Sequence, residues 1–299
     1  MSTNAMYPVM SMSKWRRRWN TFWKNLILCT LLAVIALTVL FPILFTLSGS
    51  FMGGEEVVRN FGDITISDAF TPMHLLPDHI QLDGYADLFI RQPSYLMRFW
   101  ISLGICAAIT VGQLVISILG GYAFSKFKFP GRDAIFYCII VLMMLPYQVT
   151  LTPTYMVVRA LGLLNTSYSL ILPGIFSAFG VFLMRQIMEA VPDSLLESAY
   201  LDGAGSFVTL WRILVPNCKS GIVTLTVLSF VDAWNMVEQP IVFIQDTFKQ
   251  PLSVFLLSVN AQSMALGFAC GVLSMIPAVL LLVFFEDQLM EGISYSVLK

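Results

Sequence analysis

The chain is organised around the segment Leu195-Leu196-Glu197-Ser198-Ala199-Tyr200-Leu201-Asp202-Gly203-Ala204, which continues to Arg212-Ile213-Leu214-Val215-Pro216. The segment is polar and stands between two long apolar runs. Apolar residues recur at helical spacing on both sides of Gly203, and glycine adopts backbone angles that other residues avoid. Pro216 suits the first turn of a following helix. The pattern predicts two short helices joined by a turn at a membrane surface, a shape suited to docking.

The composition is that of a membrane protein. Of the 299 residues, 57% are hydrophobic and only 12% are charged, whereas soluble domains are about 45–50% apolar and about 25% charged. The net charge of -1 gives no indication of a nucleic-acid partner. The five cysteines are scattered without a C-x-x-C pair, so no disulfide framework is predicted.

Six apolar segments are long enough to cross a bilayer as helices, which takes about 20 residues. A backbone in lipid must satisfy its own hydrogen bonds, so the fold class is predicted to be an all-α membrane protein with a six-span domain over 25–286. The first apolar run exceeds the roughly 7–15 apolar residues of a signal peptide and is therefore interpreted as a retained span. The predicted spans are 25–47, 100–124, 134–157, 169–189, 220–244 and 266–286.

The positions of Lys and Arg predict the orientation of the spans, because cytoplasmic loops carry an excess of both. With the N-terminus inside, twelve of these residues face the cytoplasm and five face out. The segments 1–24 and 287–299 and the loop 191–217 are then cytoplasmic, and the loop 49–98 lies outside. The inner set is Lys14, Arg16, Arg17, Arg18, Lys24, Lys126, Lys128, Arg132, Arg185, Arg212, Lys219 and Lys299. The outer set is Arg59, Arg91, Arg98, Arg159 and Lys249.

The residues Glu197-Ser198-Ala199, Gly203, Ile213 and Pro216 resemble the EAA loop of the permease subunits of ABC importers. Ser198 departs from the usual alanine but keeps a small residue. Other segments, spread in order over nearly the whole chain, resemble the carbohydrate-uptake branch with its maltose-type, type I permease fold. These segments are Gly121-Tyr122-Ala123-Phe124-Ser125, Phe129-Pro130-Gly131, Leu145-Pro146, Leu161 to Thr166, Phe182 to Gln186, and Trp234-Asn235.

The resemblance implies a multi-pass subunit in a bacterial cytoplasmic (inner) membrane that works with several partners. These are a second homologous permease, two cytoplasmic ATPase subunits and an extracytoplasmic solute-binding protein that delivers a sugar. The chain has no G-x-x-x-x-G-K-[ST] phosphate-binding loop, so ATP and Mg would be used by the ATPase partner. We expect no enzyme activity, bound cofactor or metal in this chain itself. The residues expected to couple it to the ATPase are Glu197, Ser198, Ala199, Tyr200, Asp202, Gly203, Ala204, Arg212 and Pro216.

The candidate solute-binding residues lie in the fifth and third spans. A carboxylate such as Asp232 inside a membrane costs at least about 2.5 kcal/mol and normally faces a wet cavity or the bundle interior. Asp232, Asn235 and Gln239 follow i, i+3, i+7, which is one face of a helix, and Trp234 offers an apolar plate for a sugar ring. Tyr147 and Gln148 follow Pro146 in the third span. Interhelical hydrogen bonding is the plainer interpretation of the same residues.

Other functions stay open from the sequence. One alternative is an ABC permease for another kind of solute, such as a polyamine or an oligopeptide. A six-span secondary carrier is a different class, and it would show internal repeats with interrupted spans in matching positions. A membrane scaffold without transport activity would not need Asp232 or Asn235.

Overall fold

The computed structural model describes residues 12–61, 74–91, 94–257 and 264–290. Within these ranges the chain is helical and contains no strand. The helices are α1 (Met12–Gly49), α2 (Gly54–Phe61), α3 (Asp83–Ala86), α4 (Ser94–Lys126), α5 (Arg132–Met143), α6 (Tyr147–Ala160), α7 (Tyr168–Gly174), α8 (Ala178–Glu189), α9 (Asp193–Leu201), α10 (Ser206–Thr209), α11 (Val215–Asn217), α12 (Lys219–Trp234), α13 (Glu238–Phe243), α14 (Leu252–Leu257) and α15 (Met264–Phe284). The π-helical turns Asp87–Arg91 and Leu210–Leu214 continue α3 and α10.

The predicted all-α fold with six spans is confirmed, although two of the spans are sharply bent. Four helical segments are long and apolar enough to cross a membrane, and the count reaches six if each of two bent helix pairs forms one span. The pairs are Arg132–Met143 with Tyr147–Ala160 and Ser206–Asn217 with Lys219–Trp234, the second bent by 81°. The four are Trp19–Gly49, Ser94–Lys126, Tyr168–Glu189 and Met264–Phe284.

The third span, predicted over 134–157, is broken at Pro146. It consists of α5 and α6, whose axes differ by 105°. Pro146 stands immediately before α6 with an extended ψ of 135°. Proline has no N–H to donate and disfavours a helical conformation in the residue before it, so the helix ends and restarts in a new direction.

The fifth span, predicted over 220–244, is also interrupted. Helix α12 ends at Trp234, three residues follow, and α13 begins at Glu238. The backbone N–H of Asn235 closes the last turn of α12 on the carbonyl of Val231 at 3.1 Å. Because α12 stops at Trp234, the predicted helical face joining Asp232, Asn235 and Gln239 does not exist as one continuous helix.

Helix α4 is the centre of the bundle and packs against α8 and α12. The α4–α8 approach is so close that a methyl group at Gly121 would lie 2.6 Å from Cβ of Met184, so only glycine fits there. Helix α1 instead packs against α15, where Phe45 meets the ring of Phe268 with centroids 5.6 Å apart. Among the four long spans, α4 is therefore the most buried and α1 is the most exposed.

The predicted outer loop 49–98 is partly helical. It contains α2 and the helical stretch Asp83–Arg91. The Glu56 carboxylate accepts a hydrogen bond from the backbone N–H of Asp78 at 2.8 Å, and Arg59 pairs with the Asp78 carboxylate at 2.8 Å. These bonds hold α2 to the segment that follows. Residues 62–73 and the tail from 291 onward lie outside the described residues.

Candidate functional site

The first helix of the 191–217 loop is α9, which begins at Asp193 after Pro192. Asp193 lies in the first turn, where the helix dipole favours an acidic side chain. Glu197 is the fifth residue of α9, so the dipole argument applies to Asp193 and not to Glu197. Ser198 donates to the carbonyl of Ser194 at 2.9 Å, which satisfies its hydroxyl within the helix.

The turn after α9 is a Schellman motif, a helix end closed by two backbone hydrogen bonds around a left-handed residue. Ala204 N–H donates to the carbonyl of Ala199 at 2.9 Å, and Gly203 N–H donates to that of Tyr200 at 3.0 Å. Gly203 has φ of +84°, and no atom lies within 4 Å of the place where a Cβ would be. Glycine is therefore needed for its backbone angle and not for space. Both amides therefore bond to backbone carbonyls and not to the Asp202 side chain.

The two faces of the 191–217 loop differ sharply. One face buries Leu196, Leu210 and Leu214 in a cluster with Met184 and Met188 of α8. The other face leaves large apolar side chains in the open, among them Leu201, which is 89% exposed, and Phe207, which is 69% exposed. Of the residues predicted to couple the loop, Ala199 is buried and Ala204 is half-buried, whereas the exposed ones are Glu197, Ser198, Tyr200, Asp202, Gly203, Arg212 and Pro216.

Five large exposed apolar side chains of the loop are here called the loop patch: Leu195, Tyr200, Leu201, Phe207 and Trp211. The rings of Phe207 and Trp211 meet edge to face with centroids 6.1 Å apart. A large exposed apolar patch that is surrounded by polar residues is characteristic of a protein interface. The charged residues Glu197, Asp202 and Arg212 are exposed and neighbour the patch residues in the sequence.

The 191–217 loop is anchored to the end of α4. Lys126 donates to the carbonyl of Val191 at 2.6 Å and to the Asp193 carboxylate at 2.6 Å. The hydrogen bond and charge of Lys126 hold the pKa of Asp193 below its usual value. Tyr122, one turn earlier, donates to the carbonyl of Ser206 at 3.1 Å. The loop therefore has a fixed position relative to the longest helix of the core.

A second candidate site is a cavity of about 670 Å³ in the bundle, here called the central cavity. It lies where three interrupted spans meet. The α5–α6 break contributes Tyr147 and Gln148, the α7–α8 break contributes Phe176 and Ser177, and the segment from Asp232 to Gln239 contributes the α12–α13 break. Helix breaks leave backbone polar groups without helical partners, and in membrane proteins they are tolerated where they line a cavity.

The polar groups of the central cavity are only partly paired with one another. Gln148 Nε2 donates to Glu238 Oε1 at 3.3 Å, and Asn235 Nδ2 donates to the carbonyl of Val231 at 2.9 Å. Gln113 of α4 donates to the carbonyl of Gly174 at 2.7 Å. The Asp232 carboxylate is exposed and has no hydrogen-bond or ion-pair partner among the described residues. Carboxylate and amide oxygens are thus available to a ligand that donates hydrogen bonds.

The structure brings most of the predicted solute residues together, with one exception. Asp232, Asn235, Gln239, Tyr147 and Gln148 all line the central cavity. They meet because separate helix ends converge, and not because they share a helix face.

Trp234 is the exception, because the ring proposed as an apolar plate for a sugar does not line the central cavity. It is only 8% exposed, its ring stacks on Phe230 with centroids 5.7 Å apart, and its Nε1 donates to the carbonyl of Ser274 at 3.1 Å. These contacts place Trp234 in the apolar core between α12 and α15.

Several cavity residues were missed as candidates from the sequence. Gln113 lies on α4 and Ser177 caps α8 by accepting from Gly180 N–H at 3.0 Å. A glutamine in the middle of a predicted span was a usable signal for Gln113. Ser177 carried no such signal, because its position depends on the break between α7 and α8. Glu238 was not among the predicted residues, although it lines the cavity as Asp232 does.

Comparison with known proteins identifies the class to which this fold and these sites belong. The family described as "Binding-protein-dependent transport system inner membrane component" matches residues 81–294. The chain belongs to this family and is a transport permease, not an enzyme. The matched region contains the 191–217 loop and the central cavity, so the predicted resemblance to importer permeases is confirmed. Membership of this family excludes the two alternatives from other classes, a secondary carrier and a membrane scaffold.

Individual relatives carry more specific names. The chain is 27% identical over 270 residues to the arabinooligosaccharides transport system permease protein AraQ of Halalkalibacterium halodurans, covering 89% of this chain and 94% of that protein. It is 33% identical over 229 residues to the sn-glycerol-3-phosphate transport system permease protein UgpE of Rhizobium meliloti, covering 75% and 77%.

A solved structure shares the fold. It is a crystal structure of a bacterial ABC transporter involved in the import of the acidic polysaccharide alginate. One of its chains superposes with a TM-score of 0.74 at 24% sequence identity, covering 94% of this chain and 99% of that chain. The agreement over nearly the whole length of both chains confirms the importer-permease fold.

Proposed function

We propose that this chain is one permease subunit of an ATP-driven importer and that its solute is an uncharged, polyhydroxylated molecule, a sugar or an oligosaccharide. The observation that carries the proposal is the central cavity, which presents hydroxyl, amide and carboxylate groups at the meeting point of three broken spans. Sugar hydroxyls donate and accept hydrogen bonds, so they match this mixture of groups. The exposed rings of Tyr147 and Phe176 provide apolar surface for the faces of a sugar ring.

The charge of the cavity favours an uncharged solute over an anion. Asp232 and Glu238 both line it, and no Lys, Arg or His is among the lining residues that the structure describes. One carboxylate at 4 Å from a phosphate or a uronate opposes it by about 4 kcal/mol at an effective dielectric constant of about 20. The N-terminus of α6 contributes only about half a positive charge. The cavity therefore suits the type of solute named for AraQ better than the phosphate named for UgpE.

A cationic solute is a second candidate, because the same two carboxylates would attract it. A polyamine, with amino groups spaced along a chain, would pair with Asp232 and Glu238 at once. The sugar proposal has the additional support of amide and aromatic side chains in the same cavity. Uptake assays separate the two solutes directly.

The loop patch is the proposed docking surface for an ATPase subunit. Its apolar side chains need a partner that covers them, and the orientation predicted from Lys and Arg puts the loop in the cytoplasm. Two such ATPase subunits would bind ATP and Mg, one against each permease. Closure of the ATPases would move the 191–217 loop, and the spans would open the central cavity to one side of the membrane and then to the other.

Two further partners complete the proposed importer. A second, homologous permease would supply the other wall of the translocation path, because Asp232 and Asn235 are exposed when this chain stands without a partner. An extracytoplasmic solute-binding protein would deliver the solute to the outer face that includes α2 and α3. The family description, which names binding-protein-dependent transport, supports this partner.

The solute assignment is tested with the complete complex in proteoliposomes. Uptake of a labelled neutral oligosaccharide is measured with ATP, alongside sn-glycerol 3-phosphate, an alginate oligosaccharide and spermidine. We expect ATP-dependent uptake of the neutral sugar only. Uptake of either anion at a comparable rate contradicts the charge argument, and uptake of spermidine alone favours the polyamine candidate.

The docking assignment is tested by Leu201→Ser combined with Phe207→Ser. The matched control is Leu76→Ser, because Leu76 is 76% exposed but precedes α3 on the outer segment. We expect the double variant to lose most of the co-purified ATPase and the control to retain it. Normal ATPase content in the double variant would rule out the loop patch as the docking surface.

A further inference from the structure

Two polar side chains near the end of α4 connect the core of the bundle to the 191–217 loop. Tyr122 and Lys126 are four residues apart, so they lie on the same face of α4, one turn from each other. Both are buried in spite of their polar ends: Tyr122 is buried among the residues of the α8 cluster, and the Lys126 side chain is 6% exposed. A lysine at a helix end normally extends into solvent.

Lys126 holds the beginning of the loop. Its ammonium group contacts the carbonyl of Val191 at 2.6 Å and the Asp193 carboxylate at 2.6 Å. Asp193 is largely exposed, so its ion pair alone adds little stability. The carbonyl of the buried Val191 is different, because removal of Lys126 would leave a buried acceptor without its partner. Lys126 thus fixes the chain just before α9.

Tyr122 holds the middle of the loop. Its hydroxyl donates to the carbonyl of Ser206 at 3.1 Å and lies 3.3 Å from the hydroxyl of Tyr200. Ser206 begins the second helix of the loop and Tyr200 lies near the end of the first. One turn of α4 therefore contacts the start of the loop and both sides of its central turn.

The same helix also contacts the central cavity. Gln113, thirteen residues before Lys126, lies about 20 Å away along the axis and donates to the carbonyl of Gly174 in the cavity wall at 2.7 Å. Between these two points, Gly121 packs so closely on α8 that no Cβ fits. Helix α4 is also uninterrupted from Ser94 to Lys126, and rigid helices are among the elements that carry coupling between distant sites.

We propose that Tyr122 and Lys126 are positioning residues that join the 191–217 loop to α4, so that displacement of the loop is passed along α4 to the cavity wall at Gly174. This inference rests on the proposed function, because it assigns the side chains through which the ATPase would act on the solute path. The hydrogen bonds from Tyr122 and Lys126 form the joint, and Gln113 is the contact at the other end.

The test measures solute imported per ATP hydrolysed by the complete complex in proteoliposomes. Lys126→Met and Tyr122→Phe remove the polar contacts and keep most of the packing. Lys128→Met is the control for charge, because Lys128 is an exposed cation near Asp193. Tyr95→Phe is the control for loss of a buried hydroxyl on α4, since Tyr95 contacts the carbonyl of Cys270 near the opposite end of the helix.

We expect the import-to-hydrolysis ratio to fall about tenfold in Lys126→Met, a size typical of coupling between sites, and severalfold in Tyr122→Phe. Both controls should stay within about twofold of wild type, the amount of assembled complex should not change, and Lys126→Arg should restore most of the ratio.

Wild-type ratios in both Lys126→Met and Tyr122→Phe overturn the inference while the importer function stands. An equal fall in Lys128→Met also overturns it, because the effect would then be one of net charge. Loss of the assembled complex in Lys126→Met, with a normal ratio in Tyr122→Phe, assigns Lys126 to stability alone. That result overturns the proposed connection between the loop and α4. Failure of the wild-type complex to import any solute overturns the proposed function together with this inference.

Discussion

The 191–217 loop and the central cavity are built in opposite ways. The loop is made from one continuous stretch whose two helices and Schellman turn depend on residues within a few positions of each other. The cavity is made from side chains of α4, α6 and the breaks after α7 and α12, which are up to about half the chain apart. The loop exposes apolar groups, whereas the cavity, inside an apolar bundle, exposes polar ones. Each region thus differs in polarity from its surroundings, as the proposed docking surface and the proposed solute site require.

The largest effect is expected from Gly203→Val, which disrupts the backbone conformation of the turn in the loop. A β-branched residue at φ of +84° costs on the order of 1–3 kcal/mol. The Schellman turn would open, the second helix would leave its place against α8, and the loop patch would be divided. We expect loss of most ATPase binding and of nearly all uptake, measured by co-purification and by transport in proteoliposomes.

Gly205→Val is the matched control. Gly205 lies two residues away with φ of -75°, an angle that any residue adopts, and it also has open space around its Cβ position. The control should keep most of its uptake. Equal loss in both variants would mean that the loop requires small residues and not a left-handed backbone angle at Gly203.

The contrast between the two regions explains which structural features could be predicted from the sequence. Gly203 and the helical spacing around it were sufficient to predict the loop, because helix periodicity and turn chemistry act over a few residues. The breaks in the third and fifth spans depend on how distant helices pack. Pro146 indicated the first break. Pro240, which fits the first turn of α13 but not the interior of a longer helix, was a weaker indication of the second and did not give the end of α12 at Trp234.

The same limit applies to individual side chains. Asp232 was a sound candidate because a membrane carboxylate needs a polar environment. The burial of Trp234 could not be foreseen, because it depends on Phe230 and on the carbonyl of Ser274 forty positions away. Lys126 was assigned only to the cytoplasmic excess of positive charge, and its contact with Val191 follows from the docking of the 191–217 loop on α4.

A smaller effect is expected from Asp232→Asn, which tests the cavity side of the comparison. The amide keeps the shape of the carboxylate but replaces one acceptor oxygen with a donor and removes the charge. Hydrogen bonds to charged groups contribute about 1.5–3 kcal/mol, so we expect the apparent KM for a neutral oligosaccharide to rise about tenfold, with ATPase binding unchanged. The loss of negative charge should also let sn-glycerol 3-phosphate compete for uptake.

Glu286→Gln serves as the control for this charge change, because Glu286 is an exposed carboxylate just beyond α15 and does not line the central cavity. It should leave the KM and the exclusion of sn-glycerol 3-phosphate as they are in wild type. If Asp232→Asn does the same, the Asp232 carboxylate serves interhelical or intersubunit packing and not the solute.

The smallest effect on transport is expected from Trp234→Phe, set against Tyr147→Phe in the cavity. Phenylalanine at position 234 keeps the stack on Phe230 but removes the indole N–H that Ser274 accepts at 3.1 Å. We expect a loss of about 1–2 kcal/mol of stability, seen as a thermal midpoint a few degrees lower, and an unchanged KM. Tyr147→Phe removes an exposed cavity hydroxyl and should raise the KM severalfold with little change in midpoint. A higher KM in Trp234→Phe with a normal midpoint would instead place Trp234 on the solute path, and the division between core and cavity drawn from its burial would be wrong.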